Sequence, residues 1–127
     1  MITIDYQNRI PIYEQIVERF QTLIVNGALE PDTQLPSVRN LAVDLAINPN
    51  TIQKAYALLE QQGFIYPVKG RGNFVSGDSE VRFRKIQAFY GTLERVVLQG
   101  RELGVTEEEF QKKVSQLYEE DGYDRCV

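Results

Sequence analysis

Apolar residues recur along this chain at two spacings, and each change of spacing marks a new element. In residues 1–8, Ile2, Ile4 and Tyr6 alternate with Thr3, Asp5 and Gln7, which predicts a short strand or an extended arm. From Pro11 the spacing turns helical. Ile12, Ile16, Phe20, Leu23 and Ile24 share one face until Asn26-Gly27, a helix stop. A turn-rich stretch, 28–34, leads into Leu35-Pro36-Ser37. Ser37 predicts an N-cap, and Val38, Leu41, Ala42 and Leu45 form the next stripe. That run ends at Ala46-Ile47-Asn48-Pro49, where proline forbids continuation of the helix and suits the first position of another, with Asn48 as its cap. In this third helix Ile52, Ala55, Tyr56 and Leu59 fall on one side. Asn50, Gln53, Lys54 and Ala57 fall on the other, with Thr51 on the flank. The helix is expected to run to Gln62 and stop at Gly63.

Two β-prone triplets follow, Phe64-Ile65-Tyr66 and Asn73-Phe74-Val75, joined by a tip that contains Lys69, Gly70, Arg71 and Gly72. Ser76-Gly77-Asp78-Ser79 reads as a hinge. Beyond it Phe83, Ile86, Phe89, Tyr90, Leu93, Val96 and Val97 stripe a long helix expected to break at the glycines of 100–104. Thr106 with Glu109 predicts a capping box, and Phe110, Val114, Leu117 and Tyr118 stripe the last helix, with a frayed tail over 119–127. The pattern predicts a mainly α protein with a small β-wing. Residues 1–76 form a winged helix-turn-helix domain with 1–8 as an N-terminal arm, and 77–127 form a helical segment.

Two helices cannot bury both of their stripes alone. Phe83, Ile86, Phe89, Tyr90, Leu93, Val97, Phe110, Val114 and Leu117 are therefore expected in the interface of a homodimer. A monomer in which these helices cover the back of the winged domain is the alternative, and some of the aromatics lining a small cleft is another.

Composition narrows the chemistry. The chain has 127 residues and no histidine, which removes the commonest general base, the histidine-dependent triads and most zinc sites. Its carboxylates gather in helix stretches such as Glu107-Glu108-Glu109, where a solvated face accounts for them, and no phosphate-cradling glycine loop follows a strand. No enzyme activity, cofactor or metal is expected. No window of about 20 apolar residues offers a membrane span. The N-terminal stretch lacks the basic and apolar regions of a secretory signal, and a lone cysteine, Cys126, allows no intrachain disulfide; a cytoplasmic location is expected.

The formal net charge of −4 is unusual for a nucleic-acid binder. Within 33–76, however, Arg39, Lys54, Lys69 and Arg71 outnumber Asp44 and Glu60. In a helix-turn-helix the second helix enters the major groove. Asn and Gln there pair with adenine, Lys donates to guanine, and the Thr methyl meets the thymine methyl. The competing reading is an ordinary solvated helix face. The glycines at the wing tip permit a close backbone approach, and the two cations beside them suit a phosphate backbone or minor-groove edge.

The segments LPSVRNLA, NPNTIQKAYALLEQQGFI and KGRGNFV, in that order, resemble the winged helix-turn-helix of GntR-family bacterial transcription regulators over 10–76. The short two-helix appendage is similar to that of the family's YtrA-like subgroup. The resemblance implies a dimeric regulator, often a repressor, whose partner is a double-stranded DNA operator. It assigns Arg39 to the DNA-contacting arginine after Pro-Ser, Asn50, Thr51 and Gln53 to the reading positions, and 69–72 to the wing tip. Pro49 and Gln53 stand where many relatives place arginines, and Asp32 where a glycine is common. The candidate DNA-binding set is Ser37, Arg39, Asn48, Asn50, Thr51, Gln53, Lys54, Lys69, Gly70, Arg71 and Gly72. A repressor that binds a pseudo-palindrome as a homodimer is the reading. A protein-interaction module on the same scaffold is its alternative, and an unidentified small-molecule effector stays open.

Overall fold

A computed structural model describes residues 2–120, so most of the tail expected to fray, Cys126 included, lies outside the described residues. Helices α1 (Ile12–Val25), α2 (Val38–Leu45) and α3 (Pro49–Gln61) precede an antiparallel ribbon of β1 (Ile65–Val68) and β2 (Gly72–Val75). Helices α4 (Ser79–Glu102) and α5 (Glu107–Glu119) follow. This is the mainly α architecture with a β-wing that the hydrophobic pattern predicts. No helix among the described residues is long and apolar enough to cross a membrane.

The chain divides into two compact units, Met1–Ile86 and Gln87–Val127. In the first, the stripes of α1, α2 and α3 meet as their spacing requires. Ile16, Phe20, Ile52 and Leu59, with Val75 from the wing, are withdrawn from solvent completely, and each contributes roughly 1.5–3 kcal/mol. Ser37 caps α2, its hydroxyl accepting from the Asn40 N–H at 3.1 Å. Asn48 caps α3, its side-chain oxygen accepting from the Asn50 N–H at 2.8 Å, and Pro49 opens the helix.

Several local expectations are corrected. Of the two readings of the N-terminal stretch, the strand is absent among the described residues 2–8 and the arm stands. Ile2 and Ile4 do pack half-buried on the core, but the backbone is held by a side chain: Asp5 N–H donates to Gln15 Oε1, and Gln15 Nε2 donates to the Asp5 and Ile10 carbonyls. α2 stops at the boundary of residues 46–49 that the sequence marks, but a backbone angle ends it before proline does. The helix closes at Leu45, with Ala46 in the left-handed region at φ 54°. The N–H groups of Ala46 and Ile47 then return to the carbonyls of Val43 and Ala42, a Schellman closure.

The wing is longer, and its tip tighter, than the two triplets imply. Ile65 pairs with Val75 and Val68 with Gly72, which leaves Lys69, Gly70 and Arg71 as the tip. The stretch before Leu35, read as a connection, runs along the free edge of β2. Asp32 N–H donates to the Val75 carbonyl, Val75 N–H to Thr33, and Leu35 N–H to Asn73. The wing thus gains a short third edge, centred on a bridge between Gln34 and Phe74.

The first unit reaches past the hinge segment into α4. Val81 is buried in the core. Lys85 pairs with Glu18 at 2.9 Å and donates to Gln21 Oε1, and the buried Gln21 donates to Gln62 Oε1 at 2.6 Å. In the second unit α4 continues unbroken through Gly100. It ends at Glu102 and is closed by Gly104, φ 83°, where the Gly104 and Val105 N–H groups bond the Arg101 and Gly100 carbonyls. The Thr106–Glu109 capping box forms as predicted, and hydrogen bonds from the Thr106 backbone and hydroxyl hold the Glu109 carboxyl below its usual range.

Candidate nucleic-acid interface

The geometry of α3 follows from its buried side. Ile52, Ala55, Tyr56 and Leu59 anchor it, so Asn50, Gln53, Lys54 and Ala57 face outward, with Thr51 half-buried beside them. Tyr56 does more than fill space. Its ring meets Phe20 edge-on at 5.8 Å, and its hydroxyl donates to the Pro36 carbonyl at 2.7 Å. That bond ties α3 to the residue just before the α2 cap. Burial pushes the Tyr56 phenol well above its ordinary pKa, so it stays a donor across the neutral range.

The candidate residues differ in what their polar atoms already do. Ser37 and Asn48 each spend an oxygen on a helix cap. The Ser37 hydroxyl hydrogen and the Asn48 amide remain as outward donors. Arg39 lies exposed in the first turn of α2. Among the described residues the one ion pair is Lys85–Glu18, so Arg39, Lys69 and Arg71 carry charges with no carboxylate partner. Lys54 is placed differently. Its Nζ stands 3.9 Å from the centre of the Tyr13 ring on α1.

At the wing tip the Val68 carbonyl accepts from the Arg71 N–H at 2.9 Å, and Gly70 takes φ 78°, the type II pattern. Nothing stands within 4 Å of a Cβ placed on Gly70, so its backbone is open to another molecule. The tip is braced from behind. Gln34 Nε2 donates to the Arg71 carbonyl at 2.6 Å, and Gly72, at φ 114°, leaves room for that amide. On the outer face Tyr66 stacks on Phe74 at 5.8 Å, with the Arg71 guanidinium 5.8 Å from the Phe74 ring. Tyr66 OH donates to Asp32 Oδ1 at 2.6 Å; that bond, then burial and the carboxylate charge, raises the Tyr66 phenol.

All the candidate DNA-binding residues therefore lie in the first unit at exposed or half-buried positions. Tyr56 ties α2 to α3, and the segment 32–35 ties the wing to the stretch leading into α2. The sequence reading missed the supporting residues Tyr13, Asp32, Gln34, Tyr56 as a donor, and Tyr66. Only Asp32 left a signal, as a non-glycine where a glycine is common; its φ is 66°. On the helices after the wing, Phe83, Phe89 and Tyr90 are more than half exposed. Ile86, Leu93, Val97 and Val114 are also exposed in the single chain, while Phe110 and Leu117 are half-buried.

Comparison with known proteins agrees with this arrangement. Residues 12–75 match the model of the bacterial regulatory proteins of the gntR family. The chain is 34% identical over 119 residues to the HTH-type transcriptional repressor YtrA of Bacillus subtilis, covering 92% of each. It resembles the structure of a GntR family transcriptional regulator from Listeria monocytogenes with a TM-score of 0.76. There the identity is 36%, over 89% of this chain and 98% of that one. A DNA-binding domain of AraR, solved in complex with operator ORX1, aligns with a TM-score of 0.54 and 30% identity, over 59% of this chain and 96% of that one. A helix-turn-helix with an outward polar face, a braced glycine wing and these likenesses along its length place the chain in the GntR family of bacterial transcription regulators.

Proposed function

We propose that this chain represses transcription by binding a pseudo-palindromic operator as a homodimer, one winged domain per half-site. The observation that carries the reading is the outward face of α3. Its apolar side is locked in the core, while Asn50, Thr51 and Gln53 hold amide and hydroxyl groups that no internal bond consumes. Asn or Gln pairing with adenine N6 and N7 gives about 1–3 kcal/mol of discrimination per good contact. Arg39 and the tip cations Lys69 and Arg71 supply the sequence-independent phosphate term. Tight binding at low salt and a steep loss as salt rises are the expected signature. The relative named as a repressor and the AraR domain solved on its operator support the same reading.

Dimerisation is proposed through the exposed stripe of α4, with Phe83, Ile86, Phe89, Tyr90, Leu93 and Val97 from each copy, and Phe110, Val114 and Leu117 of α5 adjoining. A second copy is the occupant that a two-fold operator calls for. Two recognition helices about 34 Å apart reach successive major grooves on one side of the duplex. Repression follows by occlusion of the promoter, which places the protein with the chromosome in the cytoplasm.

The test is selection from a pool of random duplexes, followed by titration of the winning sequence at several salt concentrations. An inverted-repeat motif bound at two chains per duplex supports the reading. Recovery of no sequence, or binding that ignores sequence at every salt, refutes it and leaves a winged scaffold that serves protein contacts instead.

A further inference from the structure

We infer that Tyr13 is a positioning residue for Lys54, holding the lysine ammonium beside the reading face of α3 so that it meets a DNA phosphate rather than a base. The inference deepens the DNA-binding reading and rests on it. Lys54 Nζ lies 3.9 Å from the Tyr13 ring centroid, well inside the range of about 6 Å for a cation–π contact. Packing against the core seats the ring. Tyr13 is half-buried against the core, and its hydroxyl donates to Glu14 Oε1 at 3.2 Å. Lys54 has no carboxylate partner among the described residues.

Position on the helix sets Lys54 at one edge of the outward face, on the side away from Gln53. At about 100° per residue, Gln53 lies roughly 60° to one side of Asn50 and Lys54 about 40° to the other. Lys54 therefore sits on the flank that faces α1. An open dent lined by Tyr13, Lys54, Ala57, Leu58 and Gln61 borders it. An ammonium has three donors, and the ring face occupies only one side of it. The remaining N–H groups stay available to a phosphate without breaking the contact. A free lysine loses side-chain entropy when a phosphate fixes it. Here the ring has already restricted the side chain.

The probe is the duplex that the wild-type protein selects from a random pool. Lys54→Ala is expected to weaken binding to every sequence alike and to lower the salt slope by about 1. Tyr13→Leu is expected to weaken binding about two- to five-fold, because the phosphate must then restrict a lysine that the ring no longer restricts in advance, while Tyr13→Phe binds as wild type. Adding Tyr13→Leu to Lys54→Ala is expected to cost nothing further. A readout without DNA checks the contact itself: ring-current upfield shifts of the Lys54 methylene protons, kept in Tyr13→Phe and lost in Tyr13→Leu. The inference is overturned by absent ring-current shifts, by Tyr13→Leu binding as well as or better than wild type, or by additive losses. It is also overturned if Lys54→Ala relaxes the preference at one base pair. Intact ring-current shifts in a protein that selects no duplex mark failure of the DNA-binding reading. The contact then stands, but the phosphate role falls.

Discussion

Tyr56→Phe isolates one hydrogen bond on which the relation between α2 and α3 depends. The substitution keeps the ring and its edge-on contact with Phe20, and removes only the 2.7 Å bond to the Pro36 carbonyl. With the residue 2% exposed, water has little access to replace the lost donor. Leaving a buried acceptor unmade costs about 1–2 kcal/mol. For a unit of this size that corresponds to a fall in Tm of roughly 5–10 °C. The pH dependence sharpens the test. The folded-state phenol titrates above its ordinary value of 10.0 because burial disfavours the phenolate. Above pH 10 the unfolded chain releases a proton that the folded chain retains. The Tyr56 contribution is thus fully present below pH 10 and is lost as pH rises beyond it, at up to about 1.4 kcal/mol per pH unit. Tyr13 and Tyr66 shift in the same direction but are present in both proteins, so they cancel in the comparison. Urea unfolding of wild type and Tyr56→Phe from pH 7 to 11, followed by circular dichroism, reads the difference directly. The variant starts less stable at pH 7, and the gap closes between pH 10 and 11. A gap that stays constant to pH 11 refutes the account of the buried phenol, and no gap at pH 7 refutes the tie to Pro36.

Ala46→Gly is expected to raise stability by about 1 kcal/mol in thermal unfolding, because a residue with a Cβ holds the left-handed position that glycine holds at the end of α4. Asp32→Ala is expected to lower the stability read in thermal unfolding, since it keeps the positive φ and loses the exposed bond to Tyr66. Asp32→Gly should cost less than half as much in the same denaturation assay. Lys69→Ala is expected to leave the fold intact while weakening binding to the selected duplex and to unrelated duplexes alike, with the salt slope lower by about 1 in fluorescence anisotropy. An unchanged slope would remove the wing tip from the interface.

Much of the fold was legible because it is written in local signals. The 3.6-residue stripes marked α1, α2 and α3, and Ser37, Asn48 and Thr106 marked helix starts that the side chains do cap. The signals failed where the deciding interaction lies far away in sequence or in a backbone angle. The edge formed by 32–35 on β2 depends on pairing across about 40 residues, and its sequence carries no β period of its own. Proline at 49 looked like the terminator of α2, yet Ala46 ends it three residues earlier, and nothing about an alanine announces a positive φ. Between two glycines near the end of α4, only the one at 104 takes the left-handed angle. Gly100 stays helical, close to Val105 and Phe110.

The candidate site shows the same division at the level of single atoms. Periodicity tells which side chains face outward on α3, and it does so correctly for Asn50, Gln53 and Lys54. It says nothing of what those side chains already hold. Ser37 and Asn48 have given an oxygen each to a cap, Lys54 has given a face of its ammonium to Tyr13, and Arg71 lies beside Phe74. Asn50 and Gln53 are the outward pair on which no internal bond falls. If the chain reads bases, discrimination should concentrate in those two amides, and the cations should govern affinity and its salt dependence. Asn50→Ala and Gln53→Ala should each relax the preference at one position of the selected duplex while leaving the salt slope unchanged. A lowered slope in either variant would contradict this division of labour.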